Sequence, residues 1–315
     1  MNITNSPGLR QPKTSFALLT GVALVLLITG FRRDPQYATI PPWFWQMKTE
    51  WRGVARVVLI GDSQVYRGLN PKIFSDVLAT SCINFGFSSV GFEDRYLNAV
   101  EKAVSTREFP PIILIGVTAY SLTPQAAKSN GFIDAENKRT TSFFSAVWQA
   151  RFDSIRQALS PLDTDLLLSN RPLGRAKADN YIQTYHLSGW VESDYRLRNI
   201  SRGFEVARTD YQGGNRIDMQ MVRNLAKRVA IWRSRGWLVF AYTPPLSGEL
   251  ESFIARLSGF ESNEVAKELS SQGAIWLEKG KELETYDGIH LTAESAHKLS
   301  RLLSLQIQPY HIKTK

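Results

Sequence analysis

The chain has 315 residues, 43% of them hydrophobic and 21% charged, which is enough apolar material for a core and excludes a largely disordered protein. Its one cysteine, Cys82, excludes an intrachain disulfide framework, and no Cys/His cluster has zinc-ligand spacing. The formal net charge is +9, and residues 125–235 hold 18 Lys/Arg against 11 Asp/Glu, so +7 of the excess lies there. A basic surface of this kind suits anionic lipid headgroups, acidic glycans or nucleic acid, and plain solubility explains it equally well.

The first 14 residues read as a polar tail. Residues 15–31, SFALLTGVALVLLITGF, carry no charge and are near the short end of what spans a bilayer, about 17 residues. The run ends in Thr29-Gly30-Phe31 and then Arg32-Arg33, not in the small-residue site of a cleaved signal, so an uncleaved transmembrane anchor is expected. Arg10 and Lys13 precede the span and Arg32 and Arg33 follow it, so charge does not set its orientation. Residues 32–53, with Pro35, Pro41, Pro42, Trp43, Phe44, Trp45 and Trp51, read as an interfacial linker, and packing of these aromatics against the domain explains them equally well.

The globular part, 54–315, opens on Ala55-Arg56-Val57-Val58-Leu59-Ile60, a short β-branched run ending at Gly61, as a buried parallel strand does. A helix over 71–80, a strand over 82–85 ending at Gly86, a helix over 93–105 and a strand over 111–117 follow. Residues from about 125 to 212 break the rhythm. They are basic and aromatic without clear strands, and are read as a mostly helical insertion. The rhythm resumes with a helix over 216–235 closed by Gly236, a strand over 237–242 stopped by Pro244-Pro245, and helices over 249–257 and 261–271. A short strand over 274–277 and a last helix over 293–307, N-capped by Thr292, complete it. Strands alternating with helices predict a three-layer, doubly wound α/β fold around a parallel five-stranded sheet.

Two motifs carry chemistry. In Val57-Val58-Leu59-Ile60-Gly61-Asp62-Ser63, a serine follows a buried strand at its carboxyl end, where functional groups collect in open α/β sheets. On its own this tripeptide reads as easily as a helix-capping turn. The second motif is Tyr286-Asp287-Gly288-Ile289-His290, directly before the last helix. A serine nucleophile needs a base, for which His is the usual choice, and an orienting carboxylate, here Asp287 three residues before His290. Of the four histidines, His290 is the one beside a turn with an acidic partner.

Together the two motifs resemble the blocks of the SGNH (GDSL-like) hydrolase superfamily over roughly residues 55–125 and 236–307. The resemblance implies a flavodoxin-like SGNH domain with Ser63, His290 and Asp287 catalytic. It implies an oxyanion hole from the backbone N–H groups of Ser63 and Gly86, the latter in Asn84-Phe85-Gly86. The third oxyanion position, an Asn in the family, is Thr118 here. Gly61-Asp62-Ser63-Gln64-Val65-Tyr66-Arg67-Gly68-Leu69-Asn70-Pro71 is similar to stretches in membrane-anchored proteins of bacterial envelopes related to polysaccharide and teichoic-acid O-acylation. That likeness implies a single-pass protein of the cytoplasmic membrane with an extracytoplasmic domain, beside a multi-spanning acyltransferase. Its expected activity is an O-acyl esterase or O-acyltransferase acting on an envelope glycan, with no metal and no organic cofactor.

Arg67 is a candidate contact for an anionic substrate. The aromatic and basic stretch Tyr181–Arg202 suits sugars or single strands, but no nucleic-acid motif accompanies it, and no nucleic-acid partner is expected. The alternative reading of the whole chain is a non-catalytic SGNH-like scaffold binding an envelope glycan or a membrane partner.

Overall fold

The computed structural model describes residues 42–107, 110–138, 181–195 and 198–312, together with Gly21. The candidate anchor at 15–31 therefore lies outside the described residues apart from Gly21. Among the described residues, no helix is long and apolar enough to cross a membrane.

Five strands form one parallel sheet in the order β2-β1-β3-β6-β7: β1 (Val57–Ile60), β2 (Cys82–Asn84), β3 (Ile112–Gly116), β6 (Leu238–Tyr242) and β7 (Ile275–Trp276). This order starts from β1 in the middle, steps out to β2, then reverses, which makes the carboxyl ends of β1 and β3 a topological switch point. The sequences VVLI, IILIG and LVFAY are buried at every position, because helices cover both faces of the sheet.

Alternation divides the core in two. Val58, Ile60, Ile113, Ile115, Val239 and Ala241 face one side. There they pack with α4 (Asp94–Ala103), α6 (Gly131–Asn137), α8 (Met219–Ser234) and α10 (Ser262–Ser271). Val57, Leu59, Ile112, Leu114, Leu238 and Phe240 face the other side, against α2 (Ser63–Gly68), α3 (Pro71–Leu78) and α11 (Ala293–Ile312). The three-layer α/β sandwich and its five parallel strands agree with the strand–helix alternation of the sequence.

Two parts refine the expectation. Of the two readings of residues 32–53, the described part follows packing against the domain: it contains α1 (Pro42–Thr49), in which Phe44 and Lys48 are fully buried, so the folded unit begins by Pro42. The insertion was expected to lack strands, yet it contains the antiparallel hairpin β4 (Tyr181–Tyr185) and β5 (Val191–Tyr195). The hairpin escaped notice because its apolar residues do not alternate, and its anchor is one side chain in the turn. Trp190 is buried and donates its indole N–H to Arg67 O at 2.9 Å. The remaining described parts of the insertion are helical: α5 (Pro124–Lys128), α6 and α7 (Ser201–Asp210), and α9 (Gly248–Ser258) follows β6.

Candidate active site

The β1–α2 turn is built around one glycine. Gly61 has φ +146, and a Cβ there would collide with Val65 and with the carbonyl of Gly116 on β3. With no side chain, the turn folds tightly against β3 and Asp62 caps α2, its Oδ1 accepting from Gln64 N at 2.9 Å. Ser63 becomes the first residue of the helix, where backbone N–H groups have no intrahelical partner. The Gly61 N–H donates to the Tyr96 hydroxyl at 3.2 Å, and that hydroxyl donates to Phe85 O at 2.9 Å, which ties the end of β1 to the end of β2.

The late motif closes on itself before α11. Tyr286 N donates to His290 O at 3.0 Å, and Thr285 and Leu291 form an isolated antiparallel bridge. Asp287 Oδ1 accepts from the backbone N–H groups of Ile289 at 3.0 Å and His290 at 2.7 Å. Its Oδ2 lies 2.8 Å from His290 Nδ1, and His290 Nε2 lies 2.9 Å from Ser63 Oγ. Residues 227 positions apart in sequence thus form a continuous carboxylate–imidazole–hydroxyl chain. With Nδ1 protonated toward Asp287, Nε2 presents its lone pair to the serine hydroxyl. Burial alone would raise the Asp287 carboxyl. The facing His290, which also donates to it, and the two backbone donors overcome this and hold it at about 2, so it stays ionised.

The two remaining expected oxyanion donors are engaged elsewhere. The Gly86 N–H donates to the Asn84 side-chain oxygen at 3.0 Å. Thr118 donates its hydroxyl to Asp62 Oδ2 at 2.5 Å and accepts from Ser121 N at 3.1 Å. Of the expected oxyanion donors, Thr118 is thus paired with the buried Asp62 carboxylate and Gly86 with the Asn84 side chain. The Ser63 N–H has no partner among the described residues and remains the donor beside Ser63 Oγ.

Arg67 also finds an internal partner. It donates to the Tyr286 hydroxyl at 2.6 Å, and the Tyr286 ring stacks on His290 with centroids 5.8 Å apart. The guanidinium therefore backs the ring that stacks on His290, a place its position in the sequence did not suggest.

Sequence reasoning also missed several supporting residues. Asn84, fully buried at the end of β2, donates to Val65 O at 2.8 Å and Leu69 O at 2.9 Å, stapling α2 to the sheet. Lys48 from α1 is fully buried. It donates to the carbonyls of Gly86 and Gly189, and its ammonium sits 4.9–5.8 Å from the ring centres of Phe44, Trp45, Tyr66 and Phe87. Asp210, at the end of α7, is raised to about 6 by burial and by the nearby charge of Asp62. Asp62 is itself raised by burial, against the lowering effects of Thr118, the Gln64 N–H and His290. A polar residue ending an otherwise apolar strand was the available signal for Asn84. Lys48 and Asp210 carried none.

The insertion holds the Asp287–His290 loop in place. Asn199 N donates to Tyr286 O at 2.9 Å, and Gly203 lets α7 approach the Asp287 carbonyl so closely that a Cβ would clash. Among the described residues no His/Cys/Asp/Glu cluster has the arrangement to hold a metal. No family model matches the chain, and searches of curated proteins and of solved structures find no similar one.

Proposed function

We propose that the protein is a serine-dependent O-acyl esterase or O-acyltransferase of the SGNH type, anchored in the bacterial cytoplasmic membrane by residues 15–31. Its substrate is an acylated cell-envelope glycan or polymer, handled outside the membrane with a multi-spanning acyltransferase as partner. The observation that carries the chemistry is the Asp287–His290–Ser63 chain, with contacts of 2.8 and 2.9 Å. The envelope setting rests on the apolar N-terminal run and on the resemblance of the Gly61–Pro71 stretch.

In this reaction Ser63 Oγ attacks the ester carbonyl carbon while His290 Nε2 takes the hydroxyl proton. Asp287 holds the Nδ1–H and stabilises the imidazolium. The oxyanion forms beside the Ser63 N–H at the start of α2. Collapse breaks the bond to the leaving oxygen, which receives the proton from His290 and departs as an alcohol. Water or a sugar hydroxyl then gives its proton to His290, attacks the acyl-Ser63 carbonyl, and releases Ser63 with its proton restored.

A second reading, a non-catalytic scaffold, draws on the internal engagement of the Gly86 and Thr118 donors. Labelling the full chain with a fluorophosphonate decides between them. Labelling of wild type that is lost in Ser63→Ala and His290→Ala supports the enzyme. A folded wild type that takes no label supports the scaffold.

A further inference from the structure

A cavity of about 130 Å³ opens at the carboxyl edge of the sheet, between the ends of β3 and β6 and the helix α9. Its walls include Gln64, Thr118, Ala119, Ile254, Ala255 and Phe260. Gln64 directly follows Ser63. Ala119, Ile254 and Phe260 belong to the apolar cluster that contains Ile289, the neighbour of His290. The cavity is thus bounded by the residue that follows the candidate nucleophile and by members of the apolar cluster that reaches the neighbour of its base. The Gln64 carboxamide oxygen is buried without a hydrogen-bond partner among the described residues, so the nucleophile's side of the cavity carries an uncommitted polar group.

We infer that this cavity receives the acyl part of the ester and restricts it to short, uncharged groups; this rests on the reading of Ser63 as the nucleophile. Size sets the first limit. At about 30 Å³ per water-sized group the cavity takes on the order of four such groups, an acyl chain of about two to four carbons. Charge sets the second. Among the described residues, the only ionic side chain in the wall is Glu251, already paired with Lys279 at 2.5 Å, and the carboxylates of Asp62 and Asp210 lie close enough to influence each other and the neighbouring phenols. No cation among the wall residues is present to receive an acyl chain ending in a carboxylate, and the surrounding field repels one. The apolar walls suit a methyl or propyl group, and the Gln64 carboxamide oxygen is an acceptor at hand for a hydroxyl or N–H donor on the substrate.

The test uses the full chain in detergent and follows acylation of Ser63 by intact mass with p-nitrophenyl acetate, butyrate, octanoate and monosuccinate. Acetate and butyrate should acylate Ser63 at least about tenfold faster than octanoate or succinate, the scale of discrimination an apolar pocket gives. In Ala255→Phe and the milder Ala255→Leu, butyrate should fall relative to acetate, because the added side chain occupies the far wall. Ser63 acylated equally fast by all four esters, or a butyrate-to-acetate ratio unmoved in both folded variants, overturns the cavity assignment and leaves Ser63 as nucleophile. If no ester acylates Ser63 and the fluorophosphonate does not label it either, the enzyme reading itself fails, and the acyl pocket with it.

Discussion

Thr118 donates its hydroxyl proton to the Asp62 carboxylate across 2.5 Å, one residue before Ser63. Both groups are buried, at 4% exposure each, so the bond lies away from solvent. Removing the hydroxyl in Thr118→Val keeps the shape and leaves a buried carboxylate short of a donor, at a cost of about 1–3 kcal/mol. Asp62 is already held above its ordinary value of 3.8 by burial, and losing Thr118 raises it further. A carboxyl raised on folding loses stability as pH rises from its unfolded value through its folded one. The Thr118→Val deficit should therefore be small below pH 4 and grow as pH rises from there. Urea unfolding at several pH values checks this, and a deficit independent of pH would show that Asp62 does not depend on the Thr118 hydroxyl.

Asp287 predicts the opposite slope. Its carboxyl is depressed from 3.8 to about 2, so it contributes stability that is present above pH 4 and lost as pH falls through 2. The shift corresponds to about 2 kcal/mol. Asp287→Asn should flatten the acid limb of the unfolding curve between pH 4 and 2. Its Ser63 acylation rate should fall about 10⁴-fold, because an amide no longer selects the tautomer that presents the Nε2 lone pair to Ser63. Acid unfolding and acylation kinetics on one preparation measure both effects.

The sheet was legible in the sequence for a physical reason. Strands buried on both faces, such as Ile112–Gly116 and Leu238–Tyr242, must be continuous apolar runs, and such runs ending in Gly or Pro stand out. Ser63, Asp287 and His290 were legible because each sits in a turn against a regular element, where few side-chain types serve. The oxyanion assignment was not legible. Whether Gly86 N–H points at substrate or at Asn84 depends on one buried amide rotamer, which no spacing encodes. Lys48 was hidden for the opposite reason: it lies among Trp and Pro residues that read as membrane-interface chemistry, yet Phe44 and Trp45 of that segment join Tyr66 and Phe87 around its ammonium inside the domain.

Asp210 makes α7 a pH-sensitive neighbour of the site. Burial and the Asp62 charge raise its carboxyl to about 6. The folded state keeps this proton while the unfolded chain has released it, so stability falls as pH rises from 3.8 through 6. Asp210→Asn removes the ionisation and should be more stable than wild type above pH 6, by roughly 2 kcal/mol after allowing for solvent screening of a partly exposed group. The two proteins should converge toward pH 4. Thermal unfolding scanned from pH 4 to 8 gives the difference curve. A difference of constant size across that range would mean that Asp210 ionises in the folded protein as it does in the unfolded chain.

Lys48 joins α1 to the candidate site. Its ammonium donates to the Gly86 carbonyl, and the N–H of the same peptide unit, that of Phe87, donates to Gly61 O at 3.0 Å. The lysine thus fixes the peptide that steadies the turn leading into Ser63. Four aromatic faces offset part of the cost of burying its charge, each by about 0.5–2 kcal/mol. Burial still holds the ammonium well below its ordinary value of 10.5. Between the folded value and 10.5 the unfolded chain binds the extra proton, so stability contributed at this position rises with pH up to 10.5 and is flat beyond it. Lys48→Met keeps the apolar stem and removes both the charge and the donor. The variant should lack this rise, so that the gap between the two unfolding free energies shifts in favour of wild type from neutral pH to 10.5, while the other lysines cancel in the difference. Chemical denaturation at matched pH values checks it. Parallel curves for the two proteins would mean that Lys48 keeps an ordinary ammonium and is not sealed inside the aromatic box.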